Sequence, residues 1–598
     1  MLLKINLEFY EEKQEDLKSV EKEIIDIIKT NSKKNYKQII KNDKRLDVLK
    51  TLSIIRENII NWYPFKSDAN ILEINSNFGE ITEELCIKAD NVVSIEQSKN
   101  KAEALKKRLE EIENLEIIVG NIKNIKINQK FDYICINGIE EQEESLEEYL
   151  IFAKKYLKDD GIILFTCNNR FGLETWNCDN SENIYKKKNM SKKEIENTMQ
   201  QLGIDNYKFY YPLPNYKLPN VIFTDKHLPS QESILRDFTL HDEKDILMFD
   251  EREKYKEIMK EDIDLFKFFA NSYLVEISNN DNKIEFVSFG NSRKDEYKIK
   301  TIILEDIAYK KNVKREGKKH IDEIKENIDI LKKANINMLD SYDEEKVYSK
   351  LIKNEKTFDK VLIKKSDEGK EEELINLINK FYIELKEKLY NEKEQLQNTV
   401  FEKYNIDIKQ DKNKKLHYIK YGIFDLIFQN CFYIDNQFYF YDQEWREENI
   451  PIEFILYRSI NYLANSRLEI DRNLLYEKFE IMEYIEEFEK LEEILQEKIK
   501  DNFIWKIHAT NNTTVKNIYD TQIHYKNLKA IAEQELENEQ ESKKAEIEIR
   551  EQKIKELKDE LNYMKNSRSW KMTKIFRDLK KSMSNERKEL KNDTKKEN

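Results

Sequence analysis

Between Leu52 and Trp176, short apolar runs (NILEI, NVVSIE, LEIIVG, FDYICI and GIILFT) alternate with charged stretches such as KNKAEALKKRLEEI. Runs this short read as strands, and the alternation predicts parallel strands joined by crossover helices. Upstream, residues 4–50 are charged, and Val20, Ile24, Ile25, Ile27 and Ile28 form one stripe at helical spacing, which predicts a packing helix. Downstream the pattern changes. Four of the six prolines lie between Tyr210 and Ser230, which predicts a loop or lid and a domain boundary close by. Residues 260–345 then mix strand-like runs (SYLVEI, KIEFVSF, IKTIIL) with a helix from Lys318 to Lys333, and residues 368–400 read as helical. NCFYIDNQFYFYD predicts two aromatic strands around an Asp435-Asn436 turn.

Beyond about residue 525 the chain is rich in Glu and Lys and has no Pro or Gly. Ile547, Ile554, Leu557, Leu561 and Met564 keep coiled-coil spacing, but Glu533, Gln540, Lys543 and Arg550 fall on the same seam. A coiled coil and a solvated single helix both remain open.

At 598 residues the chain exceeds what one core can fill, and roughly 150 residues per domain suggests several units. The pattern divides it into a helical region (1–50), a Rossmann-like α/β domain (51–180), a linker or lid (181–259), an α+β domain (260–500) and a helical tail (501–598). A formal net charge of -13 argues against binding nucleic acid by phosphate neutralisation. Cys86, Cys135, Cys167, Cys178 and Cys431 lack CxxC spacing and mostly sit in apolar runs, as buried reduced thiols do. No window approaches the ~18 apolar residues of a membrane span, so a cytoplasmic protein is expected. The six histidines are dispersed, and none is assigned to catalysis.

Chemistry concentrates at two places. The first is ILEINSNFGEITEEL, Ile71 to Leu85, an apolar run ending in Glu73 and followed by a loop to Gly79. A nucleotide lies across the carboxyl ends of such strands, where the loop needs residues that let backbone N–H groups approach it. Asn75 and Asn77 stand where glycine is usual, and Asn is the side chain that best tolerates left-handed backbone. A second acid about 20 residues on, to accept ribose hydroxyls, is met by Glu96 in NVVSIE. Asn168, Asn169 and Arg170, just past the last of these strands, suit either an acceptor-side role or helix capping.

This arrangement, with FDYICINGIEE as fourth strand and YLKDDGIILFTCNNRFGLETW as fifth, resembles the class I S-adenosylmethionine-dependent methyltransferases. The last piece, with LSIIRENIINWYPF upstream, resembles a bacterial subgroup acting on surface glycans. The resemblance implies that Glu73 orders the methionine end of S-adenosyl-L-methionine, that Asn75, Asn77 and Gly79 underlie it, and that Glu96 takes the ribose. Asn121 falls where many relatives carry an acid beside the adenine.

The second place is FDLIFQNCFYIDNQFYFYDQEW, Phe424 to Trp445, with Asp425, Asn430 and Asp442. One carboxylate to take a proton, with an amide and a second carboxylate to hold Mg²⁺ on phosphates, is what phosphotransfer to a hydroxyl needs. The stretch resembles the catalytic loop of protein-kinase-like and aminoglycoside-phosphotransferase-like domains, over roughly Phe269 to Leu463. That likeness implies Asp425 as base, Asn430 and Asp442 as metal ligands, and Mg-ATP as co-substrate. Relatives often carry His where Ile423 stands, and Gly290 is the one early glycine. Lys314, ahead of the helix bearing Glu323 and Glu326, is the expected phosphate anchor. The plainer alternative is that these residues only shape a turn and cap a strand.

In KNSRSWKMTKIFRDLKK, Met572, Ile575, Phe576 and Leu579 share one helical face among basic residues. Such a helix suits an anionic membrane surface or a partner protein. Its SRSWKMTK resembles a segment common in surface-glycan glycosyltransferases, which implies a glycosyltransferase partner, while the seam above suggests a homo-oligomer. The order of segments resembles O-antigen chain-terminating methyltransferase-kinases. The expected function is methylation of a sugar on a surface glycan or glycolipid precursor, with phosphotransfer as a second activity. The alternative is a non-catalytic scaffold of a glycan-assembly complex with degenerate nucleotide sites.

Overall fold

The computed structural model describes the chain apart from residues 1–3, 13–14, 16, 44, 142, 178–188, 231–248, 281, 354, 392–397, 465–470, 502–517, 568–569, 572, 575–576 and 585–598. Two compact units divide it, 1–517 and 518–598.

One continuous sheet organises the first unit. Its strands in chain order are β1 (Ile5–Asn6), β2 (Asn70–Ile74), β3 (Asn91–Glu96), β4 (Leu115–Val119), β5 (Phe131–Ile136), β6 (Leu157–Asn168) and β7 (Tyr207–Leu213). Then follow β8 (Val221–Thr224), β9 (Ser272–Ile277), β10 (Phe286–Phe289), β11 (Ile299–Ile303), β12 (Ile307–Asn312), β13 (Asp340–Tyr342) and β14 (Val347–Lys350). In space they run β1-β4-β3-β2-β5-β6-β9-β7-β8-β10-β11-β12-β14-β13. The pairs from β1 to β6 are parallel, and from β6–β9 onward they are antiparallel. The β4-β3-β2-β5-β6 order is the doubly wound, Rossmann-like arrangement. Its strands read as continuous apolar runs because both faces are covered. Leu72 and Ile74 enter the core on one face with Phe131 and Phe165, while Ile71 enters the other with Trp62 and Val92.

Three expectations are corrected. Where the stretch 181–259 is described it is not a linker or lid: helices Lys192–Gln201 and Glu251–Glu261 pack Ile195, Met199, Tyr255 and Met259 into the core beneath β2 and β5. The proline-rich stretch forms β7, a turn and β8, with Tyr210, Tyr211 and Tyr216 fully buried. Pro212 is tolerated because the pairing of β7 with β9 stops at Tyr210, so its missing N–H breaks no ladder there. Nor does a domain begin at 260, since SYLVEI is β9, inserted between β6 and β7. Periodicity revealed the strand but not its neighbours.

Residues 331–499 build a further core around Phe358, Phe381, Phe428 and Phe438. It carries β15 (Tyr418–Ile423), β16 (Cys431–Ile434), β17 (Gln437–Phe440) and β18 (Arg446–Pro451), paired β15 with β18 and β16 with β17. Asp435 and Asn436 turn the β16–β17 hairpin with φ of 48° and 66°, as a two-residue loop of this kind demands. Cys86, Cys135, Cys167 and Cys431 are buried free thiols, and Cys178 lies outside the described residues.

The second unit is led by one helix, Ile518–Asn566, on which Ile547, Ile554, Leu557, Leu561 and Met564 are exposed. Of the basic face, Leu579 is exposed, and Met572, Ile575 and Phe576 lie outside the described residues. Among the described residues no helix is long and apolar enough to cross a membrane.

Candidate functional site

The loop after β2 is left-handed at three alternate positions, Asn75 (φ 63°), Asn77 (φ 51°) and Gly79 (φ 75°). It turns beneath β3, where the Asn75 amide donates to Ile95 O (3.0 Å), and the Gly79 amide donates to Ser76 O (2.9 Å). At Gly79 a Cβ would lie 3.1 Å from Leu105 Cγ on helix Lys99–Arg108, so Leu105 would have to give by a few tenths of an ångström to admit one. Asn75 and Asn77 keep the path that glycines would take. Their side chains go to defined places: the Asn75 amide group bonds the buried Tyr149 hydroxyl (Nδ2 to Oη, 3.0 Å), and Asn77 Nδ2 donates to Glu141 (3.3 Å).

Glu73 is fully buried at the base of the loop. Its Oε2 accepts from Thr82 Oγ1 (2.7 Å) and Ser94 Oγ (2.9 Å), whereas Oε1 is buried without a hydrogen-bond partner. Burial pushes its pKa up to about 7, against the pull of those two hydroxyls. A buried carboxyl oxygen without a donor is costly, and its position under the loop is the kind a ligand cation relieves. Glu96, at the end of β3, accepts the Asn77 amide on Oε2 (2.7 Å) and the Ser98 amide on Oε1 (2.9 Å). Each oxygen keeps a lone pair for a hydroxyl donor. Burial raises its pKa, and nearby Lys101 opposes this. These residues fit S-adenosyl-L-methionine: an unsatisfied acid for the methionine end, a left-handed loop beneath it and a carboxylate for the ribose.

Around the mouth stand groups that the sequence reading did not single out. Lys101 ion-pairs with Glu21 (2.8 Å) of the N-terminal helix Ser19–Thr30. Arg56 is fully buried and donates to Glu80 (2.9 Å), Tyr216 O (2.7 Å) and Asn137 Oδ1 (2.6 Å). Past β5, Glu140 accepts from the Tyr216 hydroxyl (2.8 Å), its Oε2 is buried without a partner, and burial raises its pKa. Its neighbour Glu141 pairs with Lys217, which together with Arg56 overcomes burial and holds that carboxyl low. The signal was present in NGIEE, two acids directly after a strand, but Tyr216 and Lys217 come from the supposed lid. Asn121 donates to Glu144 (2.6 Å), which also accepts from Gln97 (2.9 Å). Asn169 is a structural clamp, donating to Phe268 O (2.7 Å) and Ala270 O (2.8 Å), and Arg170 reaches Glu194 on the surface (2.6 Å).

The second constellation does assemble Asp425, Asn430 and Asp442. Asn430 Nδ2 donates to Asp425 O (3.1 Å) and Asp442 O (3.4 Å), and Asp442 is held left-handed (φ 61°). Burial pushes Asp425 up to about 6, while Arg458, 3.9 Å away, pulls down. Lys314 is not here. It pairs with Glu57 and Glu84, on the helical turn Ile54–Glu57 and the helix Thr82–Lys88 of the Rossmann-like part. The lysine at the site is Lys310, on β12, paired with both Asp442 and Glu444. In a strand, side chains four residues apart share a face, but Lys314 lies beyond the end of β12, where that rule lapses. Asp340, on β13, accepts the Asp442 amide (2.9 Å), and burial pushes it up to about 6. Among the described residues no group of three or more His, Cys, Asp or Glu is placed to hold a metal ion. Mg²⁺ commonly takes only one or two protein carboxylates and completes its shell with phosphates and water, so Asp442 and Asn430 fit that use.

No family model matches the chain, and no curated protein matches it. Solved structures similar to it include a phosphoethanolamine N-methyltransferase from Haemonchus contortus, 16% identical over 31% of this chain and 45% of that one, with a TM-score of 0.24. Another is a SAM-dependent methyltransferase from Thiobacillus denitrificans, 15% identical over 26% of this chain and 66% of that one (TM-score 0.22). A third is an N-methyltransferase from Bradyrhizobium japonicum, 17% identical over 20% and 59% of the respective chains (TM-score 0.18). The chain spans less than two thirds of the length of these three proteins, and their activities are theirs alone.

Proposed function

We propose that the Rossmann-like part is an S-adenosyl-L-methionine-dependent methyltransferase acting on a sugar of a surface glycan or glycolipid precursor. One observation carries the reading: the unpartnered buried oxygen of Glu73 beneath a loop left-handed at Asn75, Asn77 and Gly79, with Glu96 ending the next strand. The cofactor supplies an electrophilic methyl group on a sulfonium. The chain's part is to bind and orient: Glu73 offers a carboxylate to the methionine ammonium, Glu96 accepts from the ribose, and Asn121 with Glu144 borders the adenine side. Methyl transfer from a sulfonium depends chiefly on placing the acceptor. Glu140 Oε2, buried and unpartnered beside Tyr216, suits the proton of an acceptor hydroxyl. The exposed Phe171 and Trp176, edge to face at 6.1 Å beside the end of β6, support a sugar acceptor by offering rings to stack on.

The second constellation supports Mg-ATP-dependent phosphotransfer, with Asp425 as base, Asp442 and Asn430 toward the metal and Lys310 toward the phosphates. Thermal unfolding with S-adenosyl-L-methionine and with Mg-ATP, run separately, tests both readings, since a ligand that binds the native chain raises its midpoint. No rise with the first removes the methyltransferase, and none with the second removes the phosphotransferase.

A further inference from the structure

In a kinase-like site the phosphate-binding lysine must be held by a carboxylate, ordinarily from the helix that follows its strand. Here that helix is Lys318–Lys333, and its acids turn elsewhere. Glu323 lies 3.6 Å from His320 Nδ1, and Glu326 reaches Arg446 (3.0 Å) on the surface. The helix presents His320, Ile321, Ile324, Asn327, Ile328 and Leu331 inward, with no acid among them.

Lys310 is held instead by Glu444, two residues after Asp442. The Glu444 side chain is 6% exposed, and its second oxygen lies 2.6 Å from Arg293 Nη1. Its amide donates to Asp425 Oδ2 (3.2 Å), and its carbonyl accepts from Asn327 Nδ2 (3.2 Å). Arg293 comes from the turn between β10 and β11, which is itself tied down by Lys294 N donating to Ile499 O (2.9 Å). One residue therefore touches the lysine, the proposed base and the turn between β10 and β11.

We propose that Glu444 is the positioning residue for Lys310 and Asp425, so that the tripeptide Asp442-Gln443-Glu444 sets both metal and lysine without an acid from the helix. This rests on the phosphotransfer reading of the site. Its consequence is a lysine held without a carboxylate from the helix, which contributes only Asn327, donating to the Gln443 and Glu444 carbonyls, and His320, 3.8 Å from the Glu444 carboxylate.

The test is calorimetric titration of the full chain with Mg-ATP. Loss of a charge-assisted contact is expected to weaken binding roughly tenfold or more in Glu444→Gln. Glu323→Gln and Glu326→Gln are expected to stay within about twofold of wild type, because Glu323 reaches Glu444 only through His320 and Glu326 pairs with Arg446 on the surface. In a Lys310→Met background, Glu444→Gln is expected to add no further loss, the signature of one residue acting through the other. Glu444→Asp keeps the charge for the fold but shortens the reach, and is expected to lose affinity several-fold with an unchanged circular dichroism spectrum. Wild-type affinity in both Glu444 variants, or a tenfold loss in a Glu323 or Glu326 variant, overturns the assignment alone. Absence of any Mg-ATP binding by the wild-type chain overturns it together with the phosphotransfer reading.

Discussion

Glu73→Gln separates stability from function at one atom. A rise in the Glu73 pKa from 4.5 to about 7 corresponds to about 3 kcal/mol, at about 1.4 kcal/mol per pH unit. The sign follows from which state ionises first. Below pH 4.5 the carboxyl is protonated in folded and unfolded chains, and its contribution is fully present. As pH rises the unfolded chain ionises first, and that stability drains away until pH passes the folded value near 7. Glu73→Gln cannot ionise, keeps an acceptor for Thr82 and Ser94, and escapes the loss. The variant should therefore gain about 3 kcal/mol on wild type between pH 4.5 and pH 8. The same variant should bind S-adenosyl-L-methionine roughly tenfold or more weakly at pH 8, having lost the charge under the loop. Urea unfolding followed by tryptophan fluorescence, to which Trp62, buried in the same face of the core as Ile71, contributes, reads the first effect. A difference between variant and wild type that is flat with pH would refute the argument from burial.

Three further substitutions probe other parts of the account. Lys314→Met leaves Glu57 and Glu84 buried without that cation and should destabilise the chain by roughly 3 kcal/mol in urea unfolding, while Mg-ATP affinity measured by calorimetry is retained. Gly79→Ala, forced to φ 75° and against Leu105, should cost roughly 1–2 kcal/mol in the same unfolding assay and weaken cofactor binding with it. Asn436→Gly should be tolerated within about 0.5 kcal/mol, whereas Asn436→Val, β-branched at φ 66°, should cost more than about 1 kcal/mol in thermal or urea unfolding.

Local signals carried much of this architecture into the sequence. NILEI, NVVSIE, LEIIVG and FDYICI are strands because buried parallel strands need apolar side chains on both faces, and the Asp435-Asn436 pair turns a hairpin because few other residues accept its backbone. The 318–333 helix likewise follows from its apolar spacing. What stayed illegible depends on neighbours distant in the chain. SYLVEI has the composition of a strand wherever it is placed, and nothing local says that it inserts between β6 and β7. Prolines near 210–230 signal broken helices and ladders, yet a β7 whose pairing with β9 ends early absorbs Pro212. At the sites, acids at strand ends were legible by spacing. Arg56, Tyr216 and Lys217 were not, because the partners that place them, Asn137, Glu140 and Glu141, lie 76 or more residues away. Lys310 and Lys314 differ by one helical turn in sequence but belong to different charge clusters, a choice made by where β12 ends.

The left-handed loop between Glu73 and Glu96 is the proposed binding site for S-adenosyl-L-methionine. Calorimetric titration of the full chain with that compound tests it most directly. One site per chain is expected, weakened at least tenfold in Glu96→Ala and unchanged in Lys310→Met. No heat at millimolar cofactor from a chain with intact secondary structure would contradict it.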